Sequence, residues 1–359
     1  MGGGVEPFDI NNYLTIVALE DGLTAALSGN TVEYCVDGDE NWKSLASNTA
    51  SESINKGQTL SFRGNLTPAS SKGVGTFKIS KSCDLTGNCN SLLFGDDAKT
   101  NLSLNGKDYA FYRLFYNCTT IKNVSSNFLP VTTLAENCYR YMFHGCTSLT
   151  TAPALPATTL AYNCYSQMFY KCSSLTTAPK LPATTLAYNC YSQMFYKCSS
   201  LTTAPELPAT TLANYCYNYM FQGCTSLTTA PALPATSLSD SCYANMFQGC
   251  TSLTTASELP ATTLAYNCYS QMFYGCGSLT TAPALPATTL AYNCYSQMFY
   301  GCSKLNYIKA MFTTTPSSSY TNYWVYGVTS SGTFVKNKNA TWNVTDVSGI
   351  PSGWTVQTA

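Results

Sequence analysis

The chain has 359 residues, of which 45% are hydrophobic and only 10% are charged, against roughly 25% charged residues in average soluble domains. Its 18 Lys and Arg residues balance its 18 Asp and Glu residues, so the formal net charge is zero. Binding of nucleic acid or of an acidic membrane needs a clustered positive field, so we predict neither partner.

The ends of the chain and its apolar runs bear on where the protein works. No run of 18 apolar residues occurs, so we expect no membrane-spanning helix. The segment from Met1 to Asp9 has neither a basic start nor an apolar centre, which excludes a secretory signal in this sequence. If Met1 is the native start, this favours a phage virion component over an exported surface protein.

Residues 1–105 contain short β-prone runs separated by turn-prone residues such as Glu20-Asp21-Gly22. Five or more short strands at this spacing predict a small β-sandwich-like domain. The predicted strands are Tyr13–Leu19, Leu23–Leu27, Val32–Val36, Thr59–Arg63 and Gly75–Ser80.

Carboxylates are concentrated in the turns of this first segment, at Asp37, Asp39, Glu40, Asp96 and Asp97. They are either solvated turn residues or ligands of a calcium ion. Their spacing does not match the EF-hand loop, which favours the first interpretation.

Residues 106–312 are dominated by one 26-residue unit, repeated with small changes. Seven methionines mark its register, each 26 residues after the last: Met142, Met168, Met194, Met220, Met246, Met272 and Met298. A fixed period of this length predicts a solenoid, in which one supersecondary unit stacks on copies of itself. Residues 106–128, with Phe115-Tyr-Asn-Cys118, are interpreted as a degenerate first unit before seven regular ones.

Each unit is predicted to hold a helical turn region followed by a short extended stretch. In one copy, Leu160, Cys164, Tyr165, Met168 and Cys172 share a helical face, and we assign them to the core. The opposite face holds Tyr162, Asn163, Ser166 and Tyr170.

The copies vary where this assignment predicts exposure. The core positions are constant in the regular copies, as are Phe169, Leu175 and Leu181. The Tyr162 position holds Glu136, Tyr162, Tyr188, Asn214, Asp240, Tyr266 and Tyr292. The Tyr170 position holds His144, Tyr170, Tyr196, Gln222, Gln248, Tyr274 and Tyr300.

Fourteen of the 18 cysteines form two columns with the same period, Cys138 to Cys294 and Cys146 to Cys302. On a helix, two cysteines eight residues apart are separated by about 12 Å, beyond the roughly 7 Å Cα limit for a disulfide. We therefore predict buried free thiols. Cys83 and Cys89 lie outside the columns, and whether they are bridged stays open.

Residues 313–359 are predicted to form a β-rich C-terminal cap, because an uncapped solenoid end exposes its core. The β-prone pieces are Tyr307–Phe312 just before it, then Tyr323–Tyr326, Gly332–Val335, Trp342–Val344 and Gly353–Val356.

The repeat from Met220 to Pro234 resembles the BspA-like, or Treponema-type, leucine-rich repeats, whose units read A-F-x-x-C-x-x-L-x-x-I-x-(I/L)-P. Phe221, Cys224, Leu227, Leu233 and Pro234 match that pattern residue by residue. Met220 replaces the usual Ala, and the unit is longer than is usual in the family. The resemblance covers residues 106–312; the flanking segments look similar to parts of bacterial surface and phage-tail proteins.

The resemblance implies an α+β repeat solenoid, a right-handed leucine-rich-repeat-like array with short strands and helical turns, between the β-sandwich-like domain and the cap. It also implies attachment to proteins or glycans at bacterial surfaces, outside the cell or on a virion, without catalysis.

Catalytic and metal-binding patterns are missing from the sequence. The single histidine, His144, lies at a variable position, which excludes a Ser-His-Asp or Cys-His arrangement. The cysteine columns have a C-x7-C spacing that does not fit a structural zinc site. We predict no enzyme activity, no cofactor and no metal.

The candidate binding residues are exposed tyrosines, because Tyr offers contact area at low entropic cost. They are Tyr162, Tyr170, Tyr188, Tyr196, Tyr266, Tyr274, Tyr292 and Tyr300. Either they bind a neutral cell-surface glycan or a protein, or they only shield the solenoid by packing on one another. The alternative function is a structural spacer, in which the repeats set length and a terminal domain binds; association of copies through terminal domains is a further expectation.

Overall fold

The computed structural model describes residues 8–359, and regular secondary structure is sparse there. The strands are β1 Leu14–Ala18, β2 Ala25–Leu27, β3 Val32–Val36, β4 Lys43–Leu45, β5 Thr59–Arg63, β6 Phe77–Ile79, β7 Cys83–Gly87, β8 Ile121–Val124, β9 Tyr307–Ala310, β10 Thr333–Lys336 and β11 Thr355–Thr358. One four-residue helix, α1, spans Ser91–Phe94, and short 3-10 turns span Ile10–Asn12 and Gly95–Asp97.

The first part of the chain forms a six-stranded sheet in the order β4-β3-β5-β1-β7-β8 and a two-stranded sheet of β2 and β6. All five strands predicted in this region are confirmed. The sequence analysis missed β4 and β7. Strand β7 reads Cys-Asp-Leu-Thr-Gly, and Asp and Gly are depleted in strands. It forms because it is held on both sides, antiparallel to β1 and parallel to β8.

The sheet runs on into the solenoid without a break. Strand β8 pairs with β7, and beyond β8 a parallel bridge joins Asn123 to Thr151 in the next coil. The ring of Phe77 stacks on Phe115 at 5.5 Å between centroids, and the Phe77 N–H donates to the Leu114 carbonyl. Strand β6 of the two-stranded sheet thus covers the apolar end of the first coil, as a terminal cap must.

The prediction of a helical region in each unit is wrong, because the segment forms a series of overlapping β-turns. The Cys164 N–H donates to the Ala161 carbonyl at 3.2 Å, three residues earlier, and alternate residues along the segment repeat this bond. Asn163, Gln167 and Lys171 take φ values of 54°, 54° and 58°. A positive φ at the third residue of a turn is the type II conformation, which an α-helix does not contain.

The remaining N–H groups of the segment bond to the next coil. Tyr165 donates to the Cys190 carbonyl at 3.0 Å and Phe169 donates to the Met194 carbonyl at 3.0 Å. Half of the donors therefore have partners only because another copy is stacked beside them. We call residues 161–172, together with the equivalent residues of the other copies, the turn ladder.

The core assignment is confirmed although the helix is not. The predicted core residues of the regular copies are buried, except that four leucines of the Leu160 position are partly buried and pack against the core: Leu134, Leu186, Leu212 and Leu264. Cys164, Met168 and Cys172 are fully buried. Two residues assigned to the opposite face are wrong: Asn163 and Ser166 are buried, at 4% and 1% exposure. In a series of β-turns, residues that a helical wheel places on the face opposite the core can also point into the core.

The other sides of each coil are extended but scarcely hydrogen bonded. Single-residue parallel bridges join Thr177 to Thr203 and Thr159 to Thr185. Between them, Lys180 is exposed and Leu181 is buried, an alternation typical of extended chain. Prolines within this stretch have no N–H to donate, which limits the strands to a residue or two.

The C-terminal segment continues the coiling. Strands β9, β10 and β11 form a parallel sheet, with Thr333 paired to Tyr307 on one side and to Thr355 on the other. The buried Trp324 lies where the regular copies have methionine, and its carbonyl accepts the Phe299 N–H at 2.9 Å. Two predicted β pieces are wrong, since Tyr323–Tyr326 is a turn and Trp342–Val344 is not a strand.

Stacked columns of identical side chains fill the solenoid. The Phe143 and Phe169 rings are 5.7 Å apart and parallel, and the phenylalanine column continues through the copies at 5.7–5.8 Å. A column of buried tyrosines runs beside it at 5.7–5.9 Å.

The cysteines take part in this packing as thiols. All 18 are free and buried, which confirms the prediction for the two columns and shows Cys83 and Cys89 unbridged. The Cys172 thiol donates to the Phe143 carbonyl of the preceding coil at 3.2 Å, and every later member of its column repeats the contact. Burial raises the pKa of Cys190 and of Cys250 to about 12, which keeps both neutral and unreactive.

We expect a reducing agent to leave the melting temperature of the full chain unchanged, because no thiol is bridged. Thermal denaturation followed by circular dichroism, with and without reductant, measures this. A drop of several degrees in reductant would show that disulfides stabilise the solenoid.

We expect Tyr217→Phe to keep or raise the stability of the protein. The Tyr217 hydroxyl is buried and has no hydrogen-bond partner among residues 8–359, so removing it relieves a desolvation cost of about 1 kcal/mol. Phe111 already stacks in this column at its N-terminal end. Urea denaturation of the variant and the parent makes the comparison, and a clear loss of stability would mean that the hydroxyl has a partner.

Candidate functional site

The solvent side of the turn ladder carries two columns of aromatic side chains. The outer tyrosine column is the Tyr162 position: Tyr162, Tyr188, Tyr266 and Tyr292 are 42%, 43%, 46% and 57% exposed. Tyr162 stacks on Tyr188 with 5.2 Å between centroids, and Tyr266 stacks on Tyr292 at 5.8 Å. Asn214 and Asp240 separate the two pairs.

The inner tyrosine column is the Tyr170 position, and its members are half-buried. Tyr170 lies 4.4 Å from Tyr196, and Tyr274 lies 4.6 Å from Tyr300, with the ring planes parallel within 3°. The column is longer than predicted at both ends. It begins with Tyr116 and His144 and finishes with Tyr326, which stacks on Tyr300 at 4.7 Å.

The structure therefore brings the eight predicted tyrosines together as four stacked pairs on one surface. Their ring faces cover one another, so packing between copies accounts for part of each side chain. The ring edges and hydroxyl groups remain open to solvent in two parallel rows. A ligand on this surface contacts a ridged strip of edges and hydroxyl groups and cannot enter between the rings.

Tyr116 and Tyr326 were not predicted because they lie in irregular units. Tyr116 precedes His144 by 28 residues, and Tyr326, although 26 residues after Tyr300, lies in a unit that has Trp324 in place of methionine. Phe115 precedes its successor Phe143 by 28 residues. Aligning the Phe-x-x-Cys of Phe115 to Cys118 with the later copies places Tyr116 in the Tyr170 position. The same alignment applied to the tail finds Tyr326 just before Gly327, which stacks over Gly301.

Four cations lie along the N-terminal part of this surface, one in each of four consecutive coils. Arg113 lies over the rings of Tyr116 and Tyr141, with its guanidinium carbon 4.9 Å and 5.2 Å from the ring centroids. Arg140 lies 4.8 Å from the Tyr141 centroid. The ammonium groups of Lys171 and Lys197 are 5.4 Å and 5.5 Å from the rings of Tyr170 and Tyr196. Sequence analysis did not group these residues.

His144 lies within that group, stacked between Tyr116 and Tyr170 at 4.6 Å and 4.4 Å. Burial, together with the charges of Lys171 and Arg113, lowers the pKa of His144 to about 4. The imidazole is therefore neutral at pH 7. It serves as one more flat ring in the column, in the position that Gln222 and Gln248 take in later copies.

The rest of the described chain offers shallow clefts. The proline segments of adjacent coils enclose clefts of about 320 Å³ beside Lys180 and Glu206 and about 260 Å³ beside Glu258. Residues 8–359 contain no group of three or more His, Cys, Asp or Glu side chains placed to hold a metal ion. Among the turn carboxylates, Asp37 accepts a hydrogen bond from the Thr59 N–H at 2.8 Å, Asp39 accepts one from the Asn41 N–H at 3.0 Å, and Asp96 pairs with Arg63.

Comparison with known families agrees with this architecture. Residues 107–253 and 214–335 match the family described as BspA type leucine-rich repeat region, in six copies. Together the two matches span more than half of the chain, so the chain belongs to the BspA-type leucine-rich-repeat family. No curated protein matches the chain. Within residues 8–359, none of the helices has the length and apolar character needed to cross a membrane.

We expect the stability of the protein to fall between pH 6.5 and pH 4 through His144. Its pKa is lower in the folded state than the ordinary value of 6.5, so the unfolded chain takes up the proton first as the pH falls. The contribution is fully present above pH 6.5 and is lost on the way down to about pH 4.

His144→Gln is the matched variant, because glutamine fills this position in two other coils. The difference in melting temperature between parent and variant should be constant above pH 6.5. Between pH 6.5 and pH 4 the melting temperature of the parent should fall relative to that of the variant. A difference that stays constant down to pH 4 would mean that His144 titrates normally in the folded protein.

Proposed function

We propose that this protein is a non-enzymatic recognition protein that adheres to a cell-surface ligand, a glycan or a protein, through the solvent side of the turn ladder. The observation that carries the proposal is the pair of tyrosine columns on a hydrogen-bonded support. Membership of the BspA-type family is compatible with adhesion or recognition.

The chemistry of the surface supports this role. Exposed Tyr rings offer contact area with little entropy to lose, because each has two side-chain torsions and its ring is held by its neighbours. Hydroxyl and amide groups in the same rows supply neutral hydrogen bonds. The columns repeat with the coils, so a ligand made of repeating units can make the same contact several times, which raises avidity.

The proposal places the protein outside the cell or on a virion, where such a ligand is accessible. Display on a bacterial surface and display on a phage tail are both part of it. No step of it needs a cofactor, a metal or a catalytic residue.

A structural spacer is the second candidate function. It is favoured by the uniformity of the stack, in which adjacent phenylalanine rings keep 5.7–5.8 Å through the regular copies. Copies this similar can be added or lost without disturbing the register. In that case a terminal part of the chain carries the binding and the columns only pack.

We expect replacement of Tyr162, Tyr188, Tyr266 and Tyr292 by Ala in the full chain to weaken binding to bacterial cells about tenfold or more. Each side chain is exposed, so the loss comes from contact area and not from unfolding, and circular dichroism should confirm the fold. Cell pull-down with labelled protein measures the effect.

The matched control is Lys180→Ala with Glu206→Ala, two exposed residues on the proline segment, which should bind as the parent does. Full binding by the four-tyrosine variant would overturn recognition through the outer column. Removal of residues 187–212, one whole unit, then tests the spacer, which predicts unchanged binding after the deletion.

A further inference from the structure

The N-terminal part of the turn ladder differs in charge from the rest. Arg113, Arg140, Lys171 and Lys197 come from four consecutive coils and lie on the side that carries the inner tyrosine column. We call them the cationic strip. The rings that link them are 4.4–4.6 Å apart from Tyr116 to Tyr196, so the four coils present their charges in close succession.

The charges of the strip are not neutralised by ion pairs. Residues 8–359 contain four ion pairs, and all of them are formed by residues of the segment 9–99. Asp108 and Glu136 are the carboxylates of the turn ladder in these coils, and they occupy the start of the outer tyrosine column, at the other edge of the ladder, whereas Glu206 lies on the proline segment. Burial lowers the pKa of His144, and the charges of Lys171 and Arg113 lower it further.

Later coils have the same rings without the charges. Tyr274, Tyr300 and Tyr326 stack at 4.6 Å and 4.7 Å, as Tyr170 and Tyr196 do. Gly275 and Gly301 stand where Lys171 and Lys197 stand in the earlier coils, and all four take positive φ. Glycine adopts that conformation without strain, whereas a lysine there costs about 1 kcal/mol. Folding therefore gives no reason for the two lysines.

We propose that the cationic strip binds an acidic polysaccharide, a glycan whose sugar units carry repeating carboxylate or sulfate groups. This inference rests on the proposed recognition function and names its ligand class. Each coil would place one cation against an anionic group of the glycan. Its tyrosine ring edge and hydroxyl group would contact the sugar that lies between two such anionic groups.

The geometry disfavours the other common polyanion. Proteins that bind single-stranded nucleic acid stack bases on exposed aromatic faces. Here His144 and Tyr170 have a ring stacked on each face, at 4.4–4.6 Å, so neither offers a base a ring face on which to stack. Sugars carry their hydrogen-bonding groups at the ring edge, and they can use a surface of edges and hydroxyl groups.

The test uses the full chain and immobilised polygalacturonate and dextran sulfate, which carry carboxylate and sulfate on a sugar backbone. The parent should bind one or both, more weakly as salt rises, because exposed charges are screened. Neutral dextran should bind far less. The single histidine gives one pair of imidazole C–H signals in proton NMR, and these signals should shift when the acidic glycan binds beside it.

The double variant Lys171→Gly and Lys197→Gly copies the later coils and should fold at least as well as the parent. Its affinity for the acidic glycan should fall about five- to tenfold, as expected for two exposed charge contacts. The reverse variant, Gly275→Lys with Gly301→Lys, adds the charges to the second tyrosine stack. A built Cβ at Gly275 or Gly301 meets only ordinary contacts, at 4.0 Å and 3.8 Å, and this variant should bind more tightly than the parent.

Three results would overturn the inference: no binding to either acidic glycan, unchanged affinity in the double variant, or equal binding to polyglutamate, which has the charge without the sugar. Cell adhesion measured beside these assays separates the two proposals. If the double lysine variant still adheres to cells and the four-tyrosine variant does not, the recognition function is supported and the acidic polysaccharide is excluded as its ligand.

Discussion

The division of backbone hydrogen bonds in the turn ladder governs the rest of the structure. Along residues 161–172, one N–H bonds within the coil and the next bonds to the following coil, in strict alternation. Three residues per coil accept a positive φ to make this alternation, at about 1–2 kcal/mol each for residues other than glycine. Such a segment is not stable alone, because half of its donors would lack partners. The solenoid is therefore cooperative between neighbours at the level of the backbone.

The same bonds create the surface that we propose as the binding surface. Because each coil is bonded to the next through every second residue, equivalent side chains stack directly over one another. Substitution at one position of the unit then produces a continuous row. Phenylalanine at the Phe169 position gives a buried column, and tyrosine at the Tyr162 position gives an exposed one. The residue type at each position of the unit therefore determines the chemistry of a whole column. Adjacent copies with the same residue at that position form one continuous strip on the surface.

Much of this was predictable from the sequence, and the errors have physical causes. The period, the core and the variable columns follow from comparing copies within one chain. The helix was wrong because Leu160, Cys164, Met168 and Cys172 are spaced by four throughout. A helical face spaced only by four drifts by about 40° at each step, so real helices mix spacings of three and four. A core residue at every fourth position indicates a turn that repeats every four residues. Asn, Gln and Gly at the positions with positive φ agree with such a turn.

The cationic strip escaped the sequence analysis for a different reason. The whole chain has 18 positive and 18 negative residues, and this balance hides how the charges are distributed among the coils. Arg113 and Arg140 lie at different offsets within their units from Lys171 and Lys197, so no single column contains all four. They become neighbours only when the first unit, with its 28-residue step, is stacked on the second. In a solenoid, charge must therefore be counted by surface strip, because a chain with zero net charge can still present one edge of one sign to a ligand.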